Sequence, residues 1–376
     1  MRTKSIYQES VRYFLGPVLA LLDDPAVSEI MINGPAVIYY EKEGKLHLST
    51  CRFPDEASLM AAVRNVAEYV DRRVDAETHS MDARLPDGSR VHVVIPPASR
   101  VGVCMTIRKF QKASFDLAKL VERGSVSSEA AEFLELAVLL HKNIVVSGGT
   151  GTGKTSLLNA LSAKIPEDER IIVIEDSSEL QLNQPHTVYL EAQPPRPDGK
   201  GRVTIRDLFV DSLRMRPDRI VVGEVRRGEA LDLVQSMISG HDGSLTTVHA
   251  SRPRDAAVRL ETLCLMSEVE LPVHVARTQV ASALHLIVQI QRFADGSRRI
   301  SEVAESLGLD AEGRYAIEPI YRFRARGADA EGRLLGGLEW TGRVPSFAGE
   351  PEAKGLQARV QETRSLFSAA PPAEHP

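Results

Sequence analysis

The run Gly148-Gly149-Thr150-Gly151-Thr152-Gly153-Lys154-Thr155 constrains the fold of this chain more than any other segment of it. It follows the short apolar stretch Asn143-Ile144-Val145-Val146 and leads into Ser156-Leu157-Leu158-Asn159-Ala160-Leu161, which is patterned as a helix. Glycines at this density permit backbone angles in which successive N–H groups converge on one point, and the helix start beyond them adds its partial positive charge. The spacing is G-x-x-x-x-G-K-[ST], in the strand-turn-helix context where that spacing cradles phosphates. A plain glycine-rich turn has no need of Lys-Thr at the start of a helix.

The ligand this cradle implies is ATP with Mg2+. Gly148, Gly149, Thr150, Gly151, Thr152, Gly153, Lys154, Thr155 and Ser156 form the expected nucleotide-binding set. Lys154 supplies a full charge near the β- and γ-phosphates, and the Thr155 hydroxyl is a ligand for the metal. Three further apolar runs, at residues 171–174, 220–222 and 244–248, end in Glu175-Asp176, Glu224 and His249. All but the last read as near-continuous apolar segments, the pattern of parallel strands covered by helices on both faces. In such α/β sheets ligands bind beyond the carboxyl ends of the strands, so these endings are expected to share one crevice with the phosphate loop.

At 376 residues, 43% of them apolar, two folded domains are expected. Residues 27–109 read as a smaller α+β domain. Short β-rich runs at residues 30–32, 37–40 and 45–48 are separated by Asn33-Gly34-Pro35 and Gly44, and a helix opens at Pro54-Asp55 and ends near Asp71-Arg72-Arg73. Strands at residues 90–95 and 101–108 complete it. The expected boundaries are 1–110 for this domain, 111–127 for a linker, 128–345 for the larger α/β domain and 346–376 for a loosely ordered tail with one helix near 356–366.

The formal net charge of -5 gives no general attraction for nucleic acid, so no nucleic-acid partner is expected. Cys51, Cys104 and Cys264 are too far apart for a disulfide framework or a C-x-x-C metal site, which fits a reducing cytoplasm. No run reaches the length of a membrane span. The basic start Met1-Arg2-Thr3-Lys4 and the apolar residues after Tyr13 loosely imitate a signal peptide, but Glu9, Arg12 and Pro17 interrupt the pattern and an ordinary first helix is expected.

The segment Leu213-Arg214-Met215-Arg216-Pro217-Asp218-Arg219-Ile220-Val221-Val222-Gly223-Glu224-Val225-Arg226 resembles the Walker B region of the type II/IV secretion ATPase superfamily. Ile174-Glu175-Asp176-Ser177-Ser178-Glu179-Leu180 is similar to its Asp box, and residues 240–250, from Gly240-His241-Asp242 to His249-Ala250, are similar to its His box, in the same order after the phosphate loop. Val27-Ser28-Glu29-Ile30-Met31-Ile32-Asn33-Gly34 and Asp82-Ala83-Arg84-Leu85-Pro86-Asp87-Gly88-Ser89-Arg90 bring the resemblance nearest to the CpaF-type ATPases of Tad/Flp pilus assembly. The tetracysteine zinc insert of general-secretion assembly ATPases is missing, and the long N-terminal extension of many CpaF-type proteins is short here, which puts recruitment through it in question.

The resemblance implies a RecA-like P-loop NTPase domain, a homohexamer, ATP hydrolysis that drives extraction of pilin, and work with inner-membrane platform proteins as a peripheral cytoplasmic partner. It casts Glu224 as the group that orients or deprotonates the attacking water, and His249 as a reporter of the γ-phosphate. Glu175 and Asp176 are candidates for a water-mediated magnesium contact or for assisting Glu224, although Asp176 also suits a helix N-cap. Arg90 and Arg108 are candidates for transition-state charge delivered by the first domain or a neighbouring subunit, or else form salt bridges. Arg214, Arg216 and Arg219 are expected at a subunit contact or at the nucleotide, and His241 shapes a loop or contributes to the His box.

Two alternatives stand beside the pilus motor: a type IV secretion or conjugative ATPase, and a non-hydrolysing nucleotide switch on a membrane complex. Lys154, Thr155 and Glu224 argue against the switch. A DNA translocase is disfavoured by the acidic balance and the lack of an aromatic-basic stripe, and a regulatory GTPase by the lack of N-K-x-D.

Overall fold

The computed structural model describes residues 9–42, 44–109, 116–196 and 198–368. They form two compact units, one holding the described residues before 114 together with those of 194–202, the other holding the rest.

The first unit is built on a six-stranded antiparallel sheet. Its strands are β1 (Val27–Asn33), β2 (Ile38–Lys42), β3 (Lys45–Leu48), β4 (Ser80–Arg84), β5 (Arg90–Val94) and β6 (Cys104–Arg108), in the order β3-β2-β1-β6-β5-β4. Alternate residues Ile30, Ile32, Val91, Val93, Met105 and Ile107 are buried, as strand periodicity requires. They share a core with Leu59, Ala62, Val63 and Val66, the apolar stripe of the helix Glu56–Tyr69. That helix starts where it does because the Asp55 carboxylate accepts the Ser58 N–H at 2.7 Å. β4 escaped the sequence reading: it is an edge strand whose Met81 alone is fully buried, so alternation is faint. Residues 194–202 count with this unit, and Arg72 donates to the Pro195 carbonyl at 2.7 Å.

The second unit carries a nine-stranded sheet in the order β15-β14-β13-β12-β7-β11-β10-β8-β9. β7 (Ile144–Gly148), β8 (Ile171–Glu175), β10 (Arg219–Val222) and β11 (Leu245–Val248) are buried at every position. With β9 (Thr187–Glu191) and β12 (Leu286–Arg292) they form the parallel part; β13 (Arg298–Leu309), β14 (Tyr315–Ala328) and β15 (Leu334–Trp340) extend it antiparallel. The near-continuous apolar runs are explained by burial on both faces. Ile144, Val146, Ile171 and Val173 pack on one side with Phe133, Leu134, Leu157 and Leu161, whereas Val145, Ile172, Ile174 and Val222 pack on the other with Phe209, Leu233, Val234 and Leu260.

Two expectations about the chain's looser parts are corrected. The expected linker 111–127 lies outside the described residues at 111–115, but beyond it Asp116 caps the helix Leu117–Glu122, and Leu117, Leu120 and Val126 enter the core of the second unit. The expected loose tail is packed as far as it is described. Phe347 and Leu366 are buried, and the Phe133 ring lies 5.8 Å from Phe347 and 6.0 Å from Phe367. The Glu132 carboxylate accepts the N–H groups of Gln361, Glu362 and Thr363 and the Thr363 hydroxyl, at 2.8, 2.9, 3.0 and 2.6 Å. Sparse aromatics and a carboxylate on a distant helix hold this segment, so its Ala- and Pro-rich composition misled. Residues 369–376 lie outside the described residues.

Candidate phosphate and hydrolysis site

β7 delivers the chain into the loop at Gly148, where a side chain has no room: a Cβ there would lie 2.5 Å from the Ile290 carbonyl oxygen. Gly151 and Gly153 have φ of 69° and 98°, and the helix Lys154–Ser162 begins directly after Gly153 with no side-chain cap. Its first N–H groups are therefore left for a ligand. Thr152 Oγ1 and Lys154 Nζ both donate to the Gly149 carbonyl at 2.9 Å. Burial draws the Lys154 ammonium below the usual lysine range, against the pull of Glu224. Gly149, Thr150, Thr155 and Ser156 complete the loop and the first helical turn, with Thr155 and Ser156 half-buried.

Glu224 and His249 follow β10 and β11, neighbours in the sheet, and the structure brings both to Lys154. Lys154 Nζ is 3.3 Å from His249 Nδ1, and His249 Nε2 is 2.8 Å from Glu224 Oε1. The latter is a close approach that makes no hydrogen bond, and Glu224 Oε1 is buried without a hydrogen-bond partner among the described residues. Glu224 Oε2 accepts Arg226 Nη2 at 2.7 Å, and Arg226 Nη1 reaches Asp176 Oδ2 at 3.6 Å. Burial and the Lys154 charge together outweigh Glu224 and lower the His249 pKa, which favours a neutral imidazole near pH 7. Thr247 Oγ1 donates to the Gly223 carbonyl at 2.8 Å, tying the two strand ends together. Convergent amides, an ammonium, an imidazole and a carboxylate with one oxygen not engaged in a hydrogen bond suffice chemically to bind a polyanion and hold a water beside it.

The profile of the "Type II/IV secretion system protein" family matches residues 14–327. The chain belongs to this family. Among its relatives, a putative conjugal transfer protein of Mycobacterium tuberculosis is 34% identical over 300 residues, covering 78% of this chain and 84% of that one. The type IV secretion system protein VirB11 of Bartonella quintana is 34% identical over 331 residues, covering 77% and 91%. The X-ray structure of the Legionella pneumophila ATPase DotB superposes with a TM-score of 0.53 at 18% identity, covering 80% of this chain and 82% of that one, a likeness of fold.

Within this secretion-family site the remaining candidates separate. Glu175 is buried, its Oε1 accepts the Glu179 and Leu180 N–H groups at 2.8 and 3.0 Å, and its Cγ would sit 2.9 Å from any Cβ on Gly223. It thus shapes the loop beside Glu224. Asp176 is exposed and no helix begins at it, so the N-cap alternative is wrong: the backbone after Glu175 turns back to satisfy that carboxylate. Arg219 is corrected too. It is fully buried and spends its guanidinium on Glu169, the Val138 carbonyl at 2.8 Å and the Gly243 carbonyl at 3.3 Å, inside the fold rather than at a nucleotide or subunit contact. Arg214 and Arg216 are exposed. His241 has a buried Nδ1 without a hydrogen-bond partner among the described residues. Arg90 and Arg108 belong to the first unit, opposite one another on β5 and β6, and Arg108 lies 3.9 Å from Glu29.

Two residues of this site were missed. Arg226 stands two positions after the motif glutamate, and its pairing with Glu224 is invisible without coordinates. Gln289 is a buried amide in the apolar run of β12: its Nε2 donates to the Ala250 carbonyl at 3.2 Å and its Oε1 accepts the Ser147 hydroxyl, linking the residue before the phosphate loop to the residue after His249. A lone polar residue within Leu286-Ile287-Val288-Gln289-Ile290 was the signal available.

Proposed function

We propose that this chain is an ATPase motor of a secretion or pilus-assembly system, which binds Mg-ATP at residues 148–156 and hydrolyses it. The observation that carries the reading is the buried Glu224 Oε1, without a hydrogen-bond partner among the described residues and beside Lys154 and His249. In this reading the loop amides and Lys154 hold the β- and γ-phosphates, and Glu224 Oε1 accepts a hydrogen bond from the water that attacks in line. His249, neutral, senses the γ-phosphate. Magnesium, when bound, offsets phosphate charge, and Thr155 is the residue best suited to hold it. Glu175 suits that role less well because backbone amides already engage it, and Asp176 because Arg226 does. Arg90 and Arg108 remain candidates for charge supplied in trans within a homohexamer.

Glu224→Gln is expected to keep ATP affinity while turnover falls by about two orders of magnitude or more, the scale of a lost general base. Turnover near wild type in that variant removes Glu224 from the role. Activity that survives dilution without loss would count against a site completed by a second subunit.

For the machinery served, the resemblance to CpaF-type sequences supports Tad/Flp pilus assembly, with pilin extraction through inner-membrane platform proteins. The conjugal transfer protein and VirB11 among the relatives equally support type IV secretion or conjugation. In either setting the chain works at the cytoplasmic face of the inner membrane through partners; among the described residues no helix is long and apolar enough to cross a membrane. Genes for a prepilin and its peptidase beside this one would support the pilus reading, and conjugation genes the other.

A further inference from the structure

We infer that Arg226 is a positioning residue for Glu224: its guanidinium holds Oε2 and so presents Oε1 to the attacking water. The inference rests on the reading of Glu224 proposed above and adds the group that aims it. A carboxylate turns about its last bond with little resistance, and its two oxygens are chemically alike until something distinguishes them. Here the two oxygens differ: Oε2 accepts Arg226 Nη2 at 2.7 Å, whereas Oε1 is buried 2.8 Å from His249 Nε2, without a hydrogen-bond partner among the described residues.

An exposed ion pair between two mobile side chains would do little of this, being worth between nothing and about 1 kcal/mol. This pair differs because its frame is fixed. Val225, between the partners, is buried, and its N–H donates to the Thr247 carbonyl at 3.1 Å. The Arg226 and Arg227 N–H groups both donate to Glu229 Oε1, at 2.8 and 2.9 Å. The other terminal nitrogen of the guanidinium lies 3.6 Å from Asp176 Oδ2, a longer, exposed contact beside the hydrogen bond to Glu224. The Glu224 side chain is 20% exposed against 60% for Arg226, which places the oriented carboxylate inside and its holder at the surface.

The test is a double-mutant cycle on the full chain, reading steady-state and single-turnover hydrolysis of Mg-ATP together with ATP affinity by calorimetry. Arg226→Ala is expected to lower kcat about tenfold or more with KM changed by less than about threefold, because a misaimed group costs rate rather than binding. Arg226→Lys, which keeps the charge without the fork, is expected to recover part of the loss. In a Glu224→Gln background, Arg226→Ala is expected to change the residual rate by less than about twofold, since nothing remains to aim. The inference is overturned if Arg226→Ala leaves kcat within about twofold of wild type, or if its loss recurs undiminished in the Glu224→Gln background. A rise in KM at constant kcat overturns it as well. Wild-type turnover in Glu224→Gln alone would overturn the reading of Glu224 itself, an outcome told apart from the others by that single variant. Should Arg226→Ala fail to fold, Arg226→Gln carries the same comparison.

Discussion

Replacing Glu132 by glutamine keeps the shape of the side chain and removes its charge at the point where residues 361–363 are gathered. Oε1 would still accept three of the four hydrogen bonds, now as a neutral amide, while the new NH2 would face the Glu362 N–H, donor against donor. Bonds to a charged acceptor are worth about 1.5–3 kcal/mol and neutral ones about 0.5–1.5, so the sum of differences exceeds 3 kcal/mol. The bonds share one acceptor and a partly exposed site, which brings the expected loss to about 2 kcal/mol. That corresponds to a roughly 30-fold increase in opening of the segment. Amide hydrogen exchange at residues 361–363 measures it directly, with the amides of β7 as an internal control for global unfolding. Burial raises the Glu132 pKa and the amides lower it by more, so the wild-type clasp should hold above the ordinary carboxylate range and loosen as pH falls through the depressed value. Equal exchange at residues 361–363 in variant and wild type would refute the argument that one carboxylate fastens the segment.

Other outcomes follow from the same structure. Lys154→Ala should weaken ATP binding about 10- to 100-fold by calorimetry, the worth of a charge-assisted contact to phosphate; unchanged affinity would count against the loop as the phosphate site. Burial raises the Glu169 carboxyl pKa, but hydrogen bonds from His141 and Arg219 outweigh it and bring the pKa down from 4.5 to about 2. Because the folded value is depressed, this stabilisation is present above about pH 4.5 and disappears as pH falls toward 2. Arg219→Met should cost about 3–5 kcal/mol in urea unfolding at pH 7 and flatten that acid dependence. Gln289→Leu leaves the buried Ser147 hydroxyl without its acceptor and should cost about 1–3 kcal/mol, with ATP affinity following if the link steadies the phosphate loop.

Four strands of the parallel centre were legible because burial on both faces leaves its mark: near-continuous apolar runs at β7, β8 and β10 and a more polar one at β11, each ending in a residue fit for chemistry. The antiparallel extension was not. β13, β14 and β15 mix arginine, glutamate and glycine along one partly exposed layer, and their long-range pairing has no local signature. β12 was a different kind of miss, an apolar run passed over beyond the last motif. At the site, motif spacing located Lys154, Glu224 and His249 but not their mutual geometry. The burial of Arg219 shows the limit most clearly, since arginines clustered beside a nucleotide motif read as functional until a carboxylate and two carbonyls are found to consume one of them.

The membership of residues 194–202 in the first unit has a practical consequence for anyone recombining proteins of this kind. A chimera joined at a single point near residue 113 would carry Arg72 from one parent and the Pro195 carbonyl it serves from the other. Faithful transplantation of the smaller unit therefore needs two splice points, with the short excursion at 194–202 travelling alongside its distant sequence partner.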